Sequence, residues 1–434
     1  MDKLQRLPHS IPALYDISDS IKLVEVAKKY EGPEDELVTR VPEYTYPGGP
    51  NVSTSWTQGF FPGLLWLLVE RQRLLPESAS STYSEKEITR LARRYQEGFR
   101  DMARTAMNHD QGFRFQLSFG KDLELNGSEE GKKALLEAAD SLVDLYSPEV
   151  GCIRSWKQMI RSGVPNDWRA DNQHEHYLVI IDNLMNLDML YEATELTGKT
   201  IYADIATSQC EKSMHSHVRP DFTTYHVVDF NQNGTVKKAM TCQGTQELGR
   251  GTSRLTVFVG FEDESTWSRG QAWGIHGYAQ SALRTGRADF LETACRLADK
   301  FIELLPESGV PWWDFDAPKP CPYDASASTI AAVGLLWIFI ALRKTDPGRA
   351  EQYLTRAFKL VEDVLKVCKT PKAEIDEEGK VRWGEGGWET ILKHSTINGN
   401  RHATRQLMDH GLVYADFYLV QFGNEALKLR PLPN

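Results

Sequence analysis

The sequence predicts an all-α fold, a single closed barrel of about six helical hairpins. Three observations carry that prediction. Apolar residues recur at three- and four-residue spacing over most of the chain, as in Leu291, Ala294, Cys295, Ala298, Ile302 and Leu305. A helix–turn–helix pattern returns at Thr197-Gly198, Thr285-Gly286 and Thr345-Asp346, and glycine after a helix suits a left-handed cap. Within each pair the first helix is apolar nearly all round and the second carries many Lys, Arg and Glu. Buried inner helices with solvated outer partners make a ring inside a ring.

Taken in chain order, helices are expected over about 60–75, 85–107, 129–146, 177–196, 200–217, 270–284, 288–304, 326–343, 348–368 and 406–427. The stretches VIIDNLMNLDMLY and STIAAVGLLWIFIAL are apolar almost all round and belong inside. Those that follow them, 200–217 and 348–368, are amphipathic and belong outside. The one clear strand signal is a hairpin, TTYHVVDF and TVKKAM around the turn Asn231-Gln232-Asn233-Gly234. No Pro-, Gly- or Ser-rich linker divides the chain, so residues 1–434 read as one domain whose surplus length lies in long loops at the mouth.

Composition narrows the function. The chain has 434 residues and a net charge of -10, which disfavours a nucleic-acid partner needing a basic face. Its most apolar run, 330–342, is shorter than a membrane span and contains Gly334. The N-terminus lacks the apolar core of a signal peptide. The six cysteines are scattered with no CxxC, the pattern of reduced thiols in a cytoplasmic protein. The 11 Trp and 16 Tyr exceed what a core needs and offer stacking surfaces for sugar rings.

Inner helices of such a barrel bring their N-terminal ends to one mouth, where anions are favoured. Asp182, in VIIDNLM, is a carboxylate in an apolar setting. Burial raises a carboxyl pKa and suits a proton donor; the structural alternative is a helix-capping Asp. Asp110, in HDQGF, is either a second carboxyl, which with Asp182 would suggest glycosidic chemistry, or a turn residue. Arg269 and Trp273, four apart at a helix start, share a face; they either grip a carboxylate and stack a sugar or form a structural cation–π pair. The triplets His174-Glu175-His176 and His215-Ser216-His217 have poor metal-ligand spacing, so neither metal nor cofactor is expected.

The blocks SWTQGFFPGLLW, HDQGF, GCIRSW, VIIDNLMNLDMLYEATELTG, HVRPDFTTYHVVDF, TWSRGQAWGIHGYAQSALRTG, VPWWDFDAP and DASASTIAAVGLL, with a weaker echo at GLVYADFYL, resemble the unsaturated glucuronyl hydrolases of glycoside hydrolase family 88. The resemblance implies an (α/α)6 barrel. It implies removal of a 4,5-unsaturated uronic acid from the non-reducing end of lyase-made fragments, by hydration of the vinyl ether double bond. By the same resemblance Asp182 is the acid/base and Asp110 its ionised partner. Trp56, His109, His226, Gln243, Arg269 and Trp273 then line the sugar site. The expected partner is a small unsaturated uronyl oligosaccharide, with no nucleic acid or membrane, and the protein is a monomer or homodimer. One departure is an insertion within 244–266, near the expected rim. The alternatives are an unsaturated rhamnogalacturonyl hydrolase on the same barrel, or a helical-barrel epimerase using His174 and His176.

Overall fold

The computed structural model describes residues 11–46, 49–75, 82–157, 160–161, 168–169, 175–247, 255–403 and 406–429. Its helices are α1 (Ile17–Tyr30), α2 (Phe60–Leu74), α3 (Glu85–Glu97), α4 (Lys121–Asn126), α5 (Glu129–Val143), α6 (Leu187–Thr197), α7 (Ile201–Ser216), α8 (Ser268–Thr285), α9 (Ala288–Glu303), α10 (Ala325–Leu342), α11 (Pro347–Cys368) and α12 (Val413–Lys428). A π-helix, Gly112–Gly120, leads into α4. The inner ring runs α2, π-helix, α6, α8, α10, α12 and back to α2, each packed on the next. Outside it α3, α5, α7, α9 and α11 each cover the inner helix before them. The N-terminal segment closes the last seam, where Tyr15 donates to the Gly423 carbonyl at 3.1 Å.

Local chemistry explains the ends. Ser84, Ser128, Asp324 and Asp346 cap α3, α5, α10 and α11 by accepting from backbone N–H groups of the first turn. Gly198 and Gly286 close α6 and α8 at φ 74° and 69°, the left-handed caps the Thr-Gly turns predict. Helix α10 is 18 residues long with mean hydropathy 2.1, long and apolar enough to cross a membrane, but 89% of it is buried inside the barrel. The expectation of a run too short to span is corrected in length. The helix is apolar because protein surrounds it.

Four further expectations change. Residues 177–196 do not form one helix. Strand β1 (Tyr177–Ile180) comes first, then a 3-10 turn (Ile181–Asn186), then α6. A short apolar run fits either state, and pairing of β1 with β2 (Val227–Phe230) settles it. The predicted hairpin is present as β2 and β3 (Val236–Met240), but it has company. Strands β4 (Gln243–Glu247) and β5 (Leu255–Val259) pair in the insertion and join Ile160–Arg161. Helix α3 stops at Glu97, short of the predicted 107, and a 3-10 turn follows at Arg100–Arg104. Helix α1 and the π-helix were not foreseen. The first has helically spaced Ile21, Val24 and Ala27; the second hides behind the strand-like alternation of Phe113 and Phe115.

Candidate active site

One backbone ladder assembles the site. Segment 107–109 pairs with 155–157 through Lys157 N–H to Met107 O at 2.9 Å and His109 N–H to Ser155 O at 3.0 Å. Ser155 N–H in turn donates to Leu178 O, in β1, at 2.8 Å. Strand β1 pairs with β2 in the register Ile180↔Val227, and Ile181 N–H donates to His226 O at 2.9 Å. His109, Asp110, Asp182 and His226 therefore sit at neighbouring strand ends. The expected platform of inner-helix N-termini is corrected on this point: Asp182 lies in the 3-10 turn ahead of α6, and His226 directly precedes β2.

Asp182 is not the helix cap, a position Ile180 holds, but it does lie in the first turn of the 3-10 segment. Its side chain is 11% exposed, and His226 Nε2 stands 3.2 Å from Oδ2. The approach is oblique, at ion-pairing distance but off the line of a well-formed hydrogen bond. Burial pushes the Asp182 carboxyl pKa up. Contact with His226 and the positive charge of His226, His109 and Arg269 pull it down further, so it ends below its usual value. The expected elevation is reversed by these neighbours.

Asp110 is equally secluded, with His109 Nε2 3.2 Å from Oδ1. Its N–H reaches Asn108 Oδ1 at 3.3 Å. Behind it, Asn186 accepts from Gly112 N–H at 2.8 Å and Phe113 N–H at 3.3 Å, so the last residue of the Asp182 turn caps the helix that follows Asp110. A Cβ on Gly112 would lie 2.6 Å from Asn186 Cα, closer than such atoms approach. The glycine is what allows the two carboxylate-bearing segments to touch.

Trp56 is half-buried, its ring 5.4 Å from Tyr414 and 5.1 Å from Phe113. That leaves a surface free to stack. Arg269 and Trp273 are placed differently from expectation. Arg269 is 2% exposed, ion-paired to Asp324 through Nη1, with Nη1 also donating to Thr396 O at 2.8 Å and Nη2 to Ile397 O at 3.1 Å. Its charge is already matched inside the protein, so it is a strut and not an open carboxylate clamp. Trp273 is fully buried against Phe113 and Tyr418, out of a sugar's reach.

Sequence reasoning passed over Trp267 and Tyr414. The Trp267 ring lies 4.5 Å from His226, and both rings flank the Arg269 guanidinium. Trp267 Nε1 and the Tyr414 hydroxyl are buried without a hydrogen-bond partner. Both residues fall in blocks already quoted, TWSRG and GLVYADFYL, which was the available signal. Gln243 opens β4 opposite Val259; its side chain lies outside the described residues. So does His174. His176 pairs instead with Asp229, Nδ1 to Oδ2 at 2.6 Å. His217 donates from Nε2 to Val179 O at 3.0 Å, and burial pushes its pKa down to about 4. Among the described residues, His176 and His217 thus have separate partners.

No family model matches the chain. The chain is 31% identical over 382 residues to an unsaturated glucuronyl hydrolase of Formosa agariphila, covering 87% of this chain and 80% of that one. It is 34% identical over 340 residues to an unsaturated glucuronyl hydrolase of Bacillus sp. strain GL1, covering 77% and 80%. Its fold is similar to the crystal structure of the unsaturated glucuronyl hydrolase responsible for glycosaminoglycan degradation from Bacillus sp. GL1. The TM-score is 0.73 at 28% identity over 94% of each chain.

Proposed function

We propose, for a chain that belongs to the unsaturated glucuronyl hydrolase family, that it removes a 4,5-unsaturated uronic acid from the non-reducing end of short lyase-generated oligosaccharides, including those from glycosaminoglycans. It is a glycosidase of the hydrolase class. In this reading the chain works as one catalytic unit, a monomer or homodimer. Its six free cysteines, five of them buried, suit the reducing cytoplasm.

The chemistry needs one proton carrier. The ring double bond is a vinyl ether, so protonating carbon 4 places an oxocarbenium ion at carbon 5, stabilised by the ring oxygen. Asp182 gives that proton. As carboxylate it then takes a proton from the water that adds at carbon 5, and so returns to its starting state. The resulting hemiketal opens and releases the rest of the sugar. The observation that carries this reading is Asp182 itself: a secluded carboxyl facing His226 at 3.2 Å, set on the ladder that also presents Asp110.

The depressed pKa fits once the ligand's charge is counted. An arriving uronate brings a like charge and excludes water, and both push the Asp182 carboxyl up toward a value at which it can donate. With Arg269 committed to Asp324, the neutral donors Trp267 Nε1 and Tyr414 Oη are the unpartnered groups beside it that suit the sugar carboxylate. Trp56 stacks the ring.

Purified protein should bleach the absorbance of the conjugated double bond in unsaturated disaccharides from chondroitin, heparin, hyaluronan, gellan or xanthan without added metal. Persistent absorbance with every substrate would overturn the assignment. Asp182→Asn should lower turnover by at least about 10²- to 10⁴-fold while keeping substrate binding. Turnover near the parent level would remove Asp182 from its role.

A further inference from the structure

The ladder that holds the two carboxylates has one side chain woven into it, Ser155, which is fully buried. Its backbone N–H donates to Leu178 O at 2.8 Å and its carbonyl accepts from His109 N–H at 3.0 Å. Its Oγ accepts from Ile180 N–H at 2.9 Å, two residues before Asp182. The same Oγ lies 3.2 Å from His109 Nδ1, and His109 Nε2 faces Asp110. Main chain and side chain alike therefore tie Ser155 to the two segments that carry Asp110 and Asp182.

We infer that Ser155 is a positioning residue that fixes the tautomer of His109 and thereby places its ring proton on Nε2, the nitrogen 3.2 Å from Asp110 Oδ1. A hydroxyl has one proton and two lone pairs. Ile180 N–H is an obligate donor and occupies a lone pair. The hydroxyl proton then needs an acceptor, since a buried donor without one costs free energy. Among the described residues, His109 Nδ1 is the acceptor within reach. Nδ1 carries its lone pair toward Ser155, so the ring proton of the neutral imidazole sits on Nε2, which stands 3.2 Å from Asp110 Oδ1, at ion-pairing distance but off the line of a well-formed hydrogen bond. The opposite tautomer fails twice. It leaves the serine proton without an acceptor, and it sets the Nε2 lone pair against a carboxylate oxygen. One hydroxyl thus joins the strand that leads to Asp182 with the histidine that stands beside Asp110.

The inference rests on the proposed reading only where it links this tautomer to turnover, and the test separates the two. In protein with ¹⁵N-labelled histidine, at alkaline pH where imidazoles are neutral, long-range ¹H–¹⁵N spectra should show His109 with an unprotonated Nδ1 and a protonated Nε2. A protonated Nδ1 in the unmodified protein overturns the proposal, with no variant needed. Ser155→Ala should convert the His109 signals to a mixture or to the other tautomer. In the same variant kcat should fall about tenfold to a hundredfold, as for a partner that orients a reacting group, with KM within about threefold. Ser155→Thr, which keeps the hydroxyl, should return the tautomer and most of kcat. Unchanged signals in folded Ser155→Ala would equally overturn it. If the spectra behave as expected but no unsaturated uronide is turned over, the tautomer assignment stands and the proposed function fails.

Discussion

At the scale of single residues, the site is governed by which charges are already matched. Asp182 is held below its usual pKa by its neighbours despite burial, so the free protein carries it ionised near neutral pH. A proton donor loses activity as pH rises through its pKa. The limb seen in kcat/KM, which reports the free protein, should therefore lie at lower pH than the limb in kcat, which reports the complex with a bound uronate. Coincident limbs in the two profiles would show that the ligand does not lift Asp182. Arg269 makes the opposite point. It was the obvious clamp for a carboxylate, yet Asp324 and two backbone carbonyls hold it. Asp324→Asn leaves that guanidinium buried without a counter-ion and should cost about 3–5 kcal/mol of stability, read from denaturant unfolding. A loss under about 1 kcal/mol would mean that the cation has an outlet to solvent.

At the scale of elements, the candidate catalytic groups sit at the ends of paired strands set against a helical ring. The ladder from 107–109 through 155–157 to β1, β2 and β3 sets His109, Asp182 and His226 beside the ends of neighbouring paired segments, spaced by hydrogen-bond geometry. Helices supply the backing. The π-helix and the 3-10 turn meet where Asn186 caps Gly112 and Phe113, and that contact requires a residue without a Cβ. Gly112→Ala should force the turn that carries Asp182 away from the segment that carries Asp110. We expect about 1–3 kcal/mol of destabilisation and a larger loss of kcat than of substrate affinity. A variant with parental melting temperature and rate would show that the two segments can separate without consequence.

At the scale of the whole molecule, a net charge of -10 repels an anionic substrate at a distance. Capture must then depend on the local site rather than on the long-range field. Added salt screens repulsion, so kcat/KM for a short unsaturated uronide should rise modestly or stay flat from low to physiological ionic strength. A steep fall would reveal a positive steering surface. The closed ring also accounts for α10. A helix apolar on every face is stable in water because the ring and α11 cover it, and 89% of it is buried.

Much of this was legible in the sequence because it depends on short-range rules. Helical spacing marked most of the barrel helices, Thr-Gly marked the αL caps of α6 and α8, and Asn-Gly marked the β2–β3 turn. The choice of Asp110 and Asp182 as candidate site residues came with the resemblance of their blocks to a known family. Contacts between distant segments were not legible. Residues 177–180 form a strand because β2 is beside them, and periodicity cannot tell a short buried strand from a buried helix. Asp182 has a lowered pKa because His226 faces it from the segment that leads into β2, and Arg269 is closed because Asp324 arrives from a different hairpin. Trp273 looked like a sugar wall by spacing and is core by burial. The sequence by itself determined which residues form helices and which polar groups are available. The tertiary structure decided which of those groups meet, because charge, burial and hydrogen-bond direction depend on neighbours that the chain brings together only on folding.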